Sequence, residues 1–271
     1  MPPPTSPSTD QRVAAWIAPQ RWSDDPDALA GDLLTWLRSV GVAANVAGMA
    51  RYGISTDSTL GVPIPVLRAA AAQLRPLQRL SPALLHATAA HLWSSGVHEA
   101  RLLASFVDVP GMVTEAQADA WVADLDSWDV CDQLQKLFVP TTFAYHKAVE
   151  WAGRDETFVK RAGFVLMATI AVHDKAGEDA AIIAFLRVVE AEANDERNYV
   201  RKAVNWALRQ IGKRSAACHD AAVETAERIL VRHEGSSAAR WVARDALREL
   251  RSVQVAMRVG ASVLATQRLP Q

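Results

Sequence analysis

Cysteine is nearly absent: Cys131 and Cys218 are the only two in 271 residues, far apart and outside any Cys-x-x-Cys. A disulfide framework and a cysteine-ligated zinc site are therefore excluded, and a reducing, cytoplasmic setting is expected. The seven histidines show no His-Glu-x-x-His or similar ligand spacing. His86 and His91, five apart on one predicted helix, come nearest to a metal pair, but histidines so placed are far more often core or surface residues. No metal and no cofactor are expected. No apolar run approaches the roughly 20 residues that span a bilayer, so no membrane role is expected. The start, Met1-Pro2-Pro3-Pro4-Thr5-Ser6-Pro7, lacks the charged and apolar regions of a signal peptide and reads as a disordered lead over residues 1–14. Glycine and proline, 13 each, are too few for an all-β chain needing a turn at every strand. A net charge of −1 gives no whole-protein attraction to nucleic acid, so such a partner has to be read from how charge is distributed.

What is present favours helices. The chain is 50% hydrophobic and rich in Ala, Leu, Arg and Glu, which predicts an all-α protein with one domain over residues 15–271. Charge is uneven: residues 151–271 hold 19 Lys/Arg against 15 Asp/Glu, a balance of +4, leaving −5 for residues 1–150. Between Arg201 and Arg214 stand Arg201, Lys202, Arg209, Lys213 and Arg214 without a single acid.

Apolar spacing predicts helices from Pro26 to Leu37, Ala43 to Tyr52, a start after Pro65 through Leu74, Pro82 to Trp93 with Ser81 as N-cap, Val97 to Val107, and Thr114 to Leu125. Residues 53–65 are rich in turn formers and read as a loop. Later helices come in pairs whose second members resemble one another. Val159-Lys160-Arg161-Ala162 recurs as Val200-Arg201-Lys202-Ala203, 41 residues on, and Ala207-Leu208-Arg209-Gln210 as Ala246-Leu247-Arg248-Glu249, 39 residues on. Two helices per period of about 40 residues is the pitch of HEAT-type repeats, which stack into a solenoid whose second helices line a concave wall. Such a wall tracks an elongated partner, duplex nucleic acid or an extended peptide.

One stretch stands out chemically. Ser127-Trp128-Asp129-Val130-Cys131-Asp132 places a large aromatic and two carboxylates within an apolar helical pattern. With Asp129 as N-cap, Asp132 falls at the third helical position, on the same side as Trp128 four residues earlier. Singly, these residues also have ordinary structural roles. Asp132 can be a helix-start carboxylate, Trp128 and Trp206 core aromatics, Arg161 a partner in an ion pair between repeats, and the 201–214 cations a solvated helix face.

Four stretches carry a family resemblance. They are Met49-Ala50-Arg51-Tyr52 with Leu60-Gly61-Val62; Ser127-Trp128-Asp129-Val130-Cys131-Asp132; Lys160-Arg161-Ala162; and Lys202-Ala203-Val204-Asn205-Trp206-Ala207-Leu208-Arg209. In that order they resemble the AlkD-like DNA alkylation repair proteins, bacterial DNA glycosylases built from HEAT-like repeats. The resemblance implies a monofunctional glycosylase that removes cationic N3- or N7-alkylated purines, bulky minor-groove adducts among them, without flipping the base. It assigns Asp132 as the catalytic carboxylate and Trp128 and Trp206 as indoles flanking the lesion's sugar. Tyr52 is then a further aromatic near the site, and Arg161 a phosphate contact. Arg201, Lys202, Arg209, Lys213 and Arg214 are expected to complete a DNA-facing surface. The chain departs from the family pattern at Ile64, where a polar residue is usual, and at Thr169, where a further basic contact is expected. The expected partner is double-stranded DNA carrying alkylated purines, bound by a cytoplasmic monomer associated with the nucleoid when on DNA. The alternatives are a non-catalytic relative recognising damaged or branched DNA and a HEAT scaffold for a protein partner.

Overall fold

The computed structural model describes residues 23–260; the lead over 1–14 lies outside the described residues. Among these residues there are helices and no strand. No single helix among them is long and apolar enough to cross a membrane. Packing divides the described residues into two compact units, with the boundary in the chain between Leu137 and Phe138.

The first unit holds α1 (Pro26–Val40), α2 (Ala43–Ala50), α3 (Ile64–Leu80), α4 (Pro82–Ser94), α5 (His98–Val107), α6 (Glu115–Ala123) and α7 (Trp128–Phe138), the last residue of α7 belonging to the second unit. Helix α1 starts where Asp25 accepts the Ala28 amide at 2.8 Å, and Thr114 caps α6 through the Gln117 amide at 3.1 Å; both are side chains relieving otherwise unpaired N–H groups. Ser81 occupies the N-cap position of α4 as expected, but its side chain makes no cap bond. Helix α2 stops at Ala50, two residues short of the expectation, in a turn through Gly53. Helix α3 runs past Pro76 to Leu80, six residues beyond the expected end. Proline removes one helical bond, yet Leu77 is buried and Gln78 Nε2 reaches the Val107 carbonyl at 3.0 Å, which holds the last turn.

The second unit is built from pairs. Helix α8 (Ala144–Ala152) precedes α9 (Thr157–His173), the central helix, buried from Val159 through Ala171. Gly163 makes that pair possible: a Cβ there would stand 2.3 Å from the Ala152 nitrogen, so the two backbones approach as only glycine permits. The next pair is α10 (Asp179–Ala184) and α11 (Leu186–Ala191), a helix broken at Phe185, followed by α12 (Asn198–Gly212). Then come α13 (Ala216–Arg232), α14 (Ser237–Leu250) and the short α15 (Val253–Val259). The repeat read from the sequence is a packing register: Val159 and Val200 are both buried near the starts of α9 and α12, and Ala207 and Ala246 near the ends of α12 and α14. Across α12 and α14, buried Asn205 donates from Nδ2 to the Val242 carbonyl at 3.0 Å.

Candidate nucleic-acid interface and catalytic residues

In the first unit the helix carrying Trp128 and Asp132 is anchored at its start. Helix α7 begins at Trp128, with the Ser127 carbonyl accepting the Cys131 amide at 3.2 Å. Ser127 therefore occupies the N-cap position expected of Asp129, which is the second helical residue, and Asp132 is the fifth. Asp129 is engaged otherwise: Ser127 Oγ donates to Oδ1, and His98 Nε2 lies 2.9 Å from Oδ2. Burial pushes the Asp129 carboxyl up, but the His98 bond and charge, the Ser127 hydroxyl and the Val130 amide outweigh it and hold its pKa below the ordinary value. Burial likewise lowers His98, and the bond and charge of Asp129 more than reverse this, so its pKa is raised. The two shifts agree on an ionised pair.

Beside His98, Glu99 is fully buried and grips the loop before α3. Its Oε1 accepts the Gly61 and Val62 amides at 2.6 and 3.2 Å, and its Oε2 the Leu60 amide at 2.8 Å. Gly61 has φ +78°, and a Cβ would meet the Val42 carbonyl oxygen at 2.2 Å; glycine is required twice over. The Leu60-Gly61-Val62 stretch is thus a carboxylate-bound loop. The turn leading into α7 is held by Arg101, which donates to the Asp124 carbonyl at 3.0 Å and lies 5.3 Å from the Trp93 ring centre. Trp93 itself stacks on Trp121 at 4.3 Å and donates to Asp124 at 2.9 Å. Those two tryptophans are packing residues, as most of the nine are expected to be.

Along the same face of α7, Trp128, Asp132 and Lys136 follow one another at single-turn spacing, the first two half-buried and Lys136 exposed, while Cys131, Leu134 and Gln135 are buried. Trp128 Nε1 donates to the Tyr52 carbonyl at 2.9 Å, which fixes the indole against the end of the α2 turn. Tyr52 is 72% exposed. The structure therefore brings Tyr52, Trp128 and Asp132 together in one unit, with the indole immobilised by its N–H and the carboxylate one turn away.

In the second unit the expected basic residues divide. Arg161 is 6% exposed, and its Nη1 donates to the Tyr199 carbonyl at 2.7 Å; it packs in a seam instead of standing on an open wall. Thr169, where a basic contact was expected, is buried with its hydroxyl on the Val165 carbonyl at 2.7 Å, because position 169 falls on the core side of α9. Arg209 and Lys213 both bind Glu249, at 2.5 and 2.6 Å. Arg214 binds Asp179 at 2.8 Å and the Ala171, Asp174 and Gly177 carbonyls at 3.1, 2.7 and 2.5 Å. All three of these expected DNA contacts are engaged in ion pairs, with Glu249 on α14 and with Asp179 at the start of α10. Lys202 is exposed and Arg201 half-buried, its guanidinium 5.3 Å from the Trp241 ring centre. Trp206 is half-exposed, and with the Gln210 amide turned to satisfy its neighbours, Gln210 accepts from Trp206 Nε1 at 2.9 Å and from Lys213 at 3.2 Å. Sequence reasoning passed over His98, Glu99 and the cluster around Trp241.

His86 pairs with Asp108 at 2.7 Å and His91 faces Asp27 at 3.5 Å; the described residues contain no cluster able to hold a metal.

Helix pairs repeating at about 40 residues, with a cation-bearing second helix in successive pairs, define a HEAT-like helical-repeat protein. The chain belongs to the DNA alkylation repair enzyme family, whose model matches residues 33–250. Its fold is similar to a solved structure described as a new family of proteins related to the HEAT-like repeat DNA glycosylases with affinity for branched DNA structures. That match has a TM-score of 0.61 at 16% identity and covers 85% of this chain and 95% of the other. A search of the curated proteins found no match.

Proposed function

We propose that this protein is a monofunctional DNA glycosylase that hydrolyses the N-glycosidic bond of cationic N3- or N7-alkylpurines in duplex DNA, with Asp132 as its catalytic residue. The observation that carries this reading is the Trp128–Asp132 pair on α7, with the indole tied to the Tyr52 carbonyl at 2.9 Å and the helix start locked by Asp129 and His98. An alkylated purine bears a positive charge and leaves readily with the bonding electron pair. The enzyme's task is then to stabilise the oxocarbenium-like sugar that remains. A carboxylate does so electrostatically and accepts a proton from the water that attacks C1′. The Trp128 face adds cation–π attraction, about 0.5–2 kcal/mol according to desolvation. The same role for Trp206 rests on the family resemblance, and a phosphate contact for Lys202 on its exposed place in the basic run of α12. Nothing in this scheme needs a Schiff base, and the product is an abasic site.

The test is release of 7-methylguanine from methylated duplex DNA. Asp132→Asn should slow it by about 10²- to 10³-fold or more, the range for losing one charge-stabilising group, while binding to abasic DNA stays nearly unchanged. Equal rates for variant and wild type would remove Asp132 from the mechanism.

A second reading, non-catalytic binding of branched or damaged DNA, is favoured by the fold's likeness to a protein with affinity for branched DNA. Base release separates the two readings, whereas salt-sensitive binding is common to both.

A further inference from the structure

We propose that the exposed face of α14 stacks an unpaired DNA base on Trp241 and holds the neighbouring phosphates with Arg240 and Arg244. It requires DNA as partner but does not depend on base excision, and it lies wholly within the second unit.

The repeat register singles this face out. Lys160-Arg161 on α9 corresponds to Arg201-Lys202 on α12, 41 residues on, and to Arg240-Trp241 on α14, 39 residues further. In the first copy the charges are consumed: Lys160 binds Glu192 at 2.7 Å and Arg161 is buried. In the last they are offered to solvent. Arg240 and Arg244 are exposed one turn apart, and among the described residues neither has a carboxylate or carbonyl partner. Their neighbours do: Arg248 pairs with Asp245, Arg251 with Glu227, and Arg228 with Glu190.

Between these two cations stands Trp241, 38% exposed, with the Arg201 guanidinium over its ring. The indole lines an open groove of about 400 Å³ along this helix together with Ser237, Arg240, Arg244, Asp245 and Arg248. Arg240 and Arg244 also border a second hollow of about 350 Å³, beside His233, Glu234, Gly235 and Ser236. Paired cations flanking an aromatic face match the requirements of single-stranded nucleic acid, in which charge tracks the backbone and the ring takes a base. A duplex keeps its base faces within its own stack, so an unpaired nucleotide is the element that uses both features.

The experiment is fluorescence anisotropy with end-labelled oligo-dT of about 12 nucleotides, within the usual site size, beside a blunt duplex of equal length. Trp241→Ala should weaken oligo-dT binding about 5- to 150-fold, the range for one base–aromatic stack, and duplex binding by less than about twofold. Trp241→Phe, which keeps a ring, should stay within about threefold of wild type on oligo-dT. Arg240→Gln with Arg244→Gln should lower the slope of log K against log salt for oligo-dT by about 1.4, or 0.7 per phosphate. The proposal is overturned if Trp241→Ala binds oligo-dT like wild type, or if it loses duplex and single strand equally. It is also overturned if polyglutamate binds with the same dependence on Trp241, which would assign the face to an acidic protein partner. Base release by the wild type is measured alongside: its absence together with Trp241-dependent oligo-dT binding removes the glycosylase reading and leaves this one standing.

Discussion

Replacing His98 with alanine tests whether the start of α7 is held electrostatically. The imidazole is 5% exposed and the Asp129 side chain 14%, with 2.9 Å between Nε2 and Oδ2. Breaking a buried ion pair by removing one partner costs about 3–5 kcal/mol. Here the stranded carboxylate keeps the Ser127 hydroxyl and the Val130 amide, so the pairwise part should be lower, about 2–3 kcal/mol, in line with a hydrogen bond to a charged group. The sign with pH follows from the two shifts. The His98 pKa is raised above its ordinary 6.5, so its contribution is complete below that value and is lost as pH rises through the folded-state value. The Asp129 pKa is lowered from 3.8, so its contribution is complete above 3.8 and is lost only on deep acidification. The window of full stabilisation lies between. A double-mutant cycle of His98→Ala and Asp129→Ala, read by urea denaturation, should give about 2–3 kcal/mol of coupling near pH 6 and clearly less near pH 9. A coupling under about 0.5 kcal/mol at both pH values, or one that grows with pH, would refute the argument.

Glu99→Gln should destabilise the protein by about 2–4 kcal/mol, because the amide loses the charge shared by three backbone donors and turns a donor of its own toward one of them; chemical denaturation reads it, and a shift under about 0.5 kcal/mol would show that the cradle is not needed. Lys202→Ala should reduce the slope of log K against log salt on duplex DNA by about 0.9, one phosphate contact, whereas Lys213→Ala should leave that slope alone and instead lower thermal stability through Glu249.

How far the sequence could be read depended on the range of the interaction. Helix existence and the repeat came from local apolar spacing, and the burial of Val159, Val200, Ala207 and Ala246 is what that spacing records. The end of α3 was misplaced because Pro76 carries a strong local signal, while the burial of Leu77 and the bond from Gln78 to Val107 that override it come from another helix. The partners of the cation run from 201 to 214 were illegible for the same reason. The run contains no acid, yet Glu249 lies 40 residues from Arg209 and 36 from Lys213, and Asp179 lies 35 from Arg214. Within a helical repeat, the carboxylate that neutralises a basic face sits in the adjoining repeat, and a count within one segment cannot register it. The Trp241 cluster was missed although its signal was present: carrying the 41- and 39-residue offsets onward from Arg161 and Lys202 lands on Trp241.

Asp129 and Asp132 show how one helix assigns different work to two like side chains. Three residues apart, they lie about 60° from one another around the helix, and Asp129 meets the buried His98 while Asp132 stays half-exposed one turn from Trp128. A carboxylate held by an imidazolium, a hydroxyl and a backbone amide has its charge already answered, so it has little left for a cationic sugar. It can, however, fix the helix that carries a second carboxylate. His98 and Glu99 extend the same logic, since adjacent residues at the start of α5 bind α7 through Asp129 and the 60–62 loop through three amides. The side chains offered to a lesion are therefore positioned by ionised groups that never meet it. The His98 pair should set the position of Asp132, not its charge.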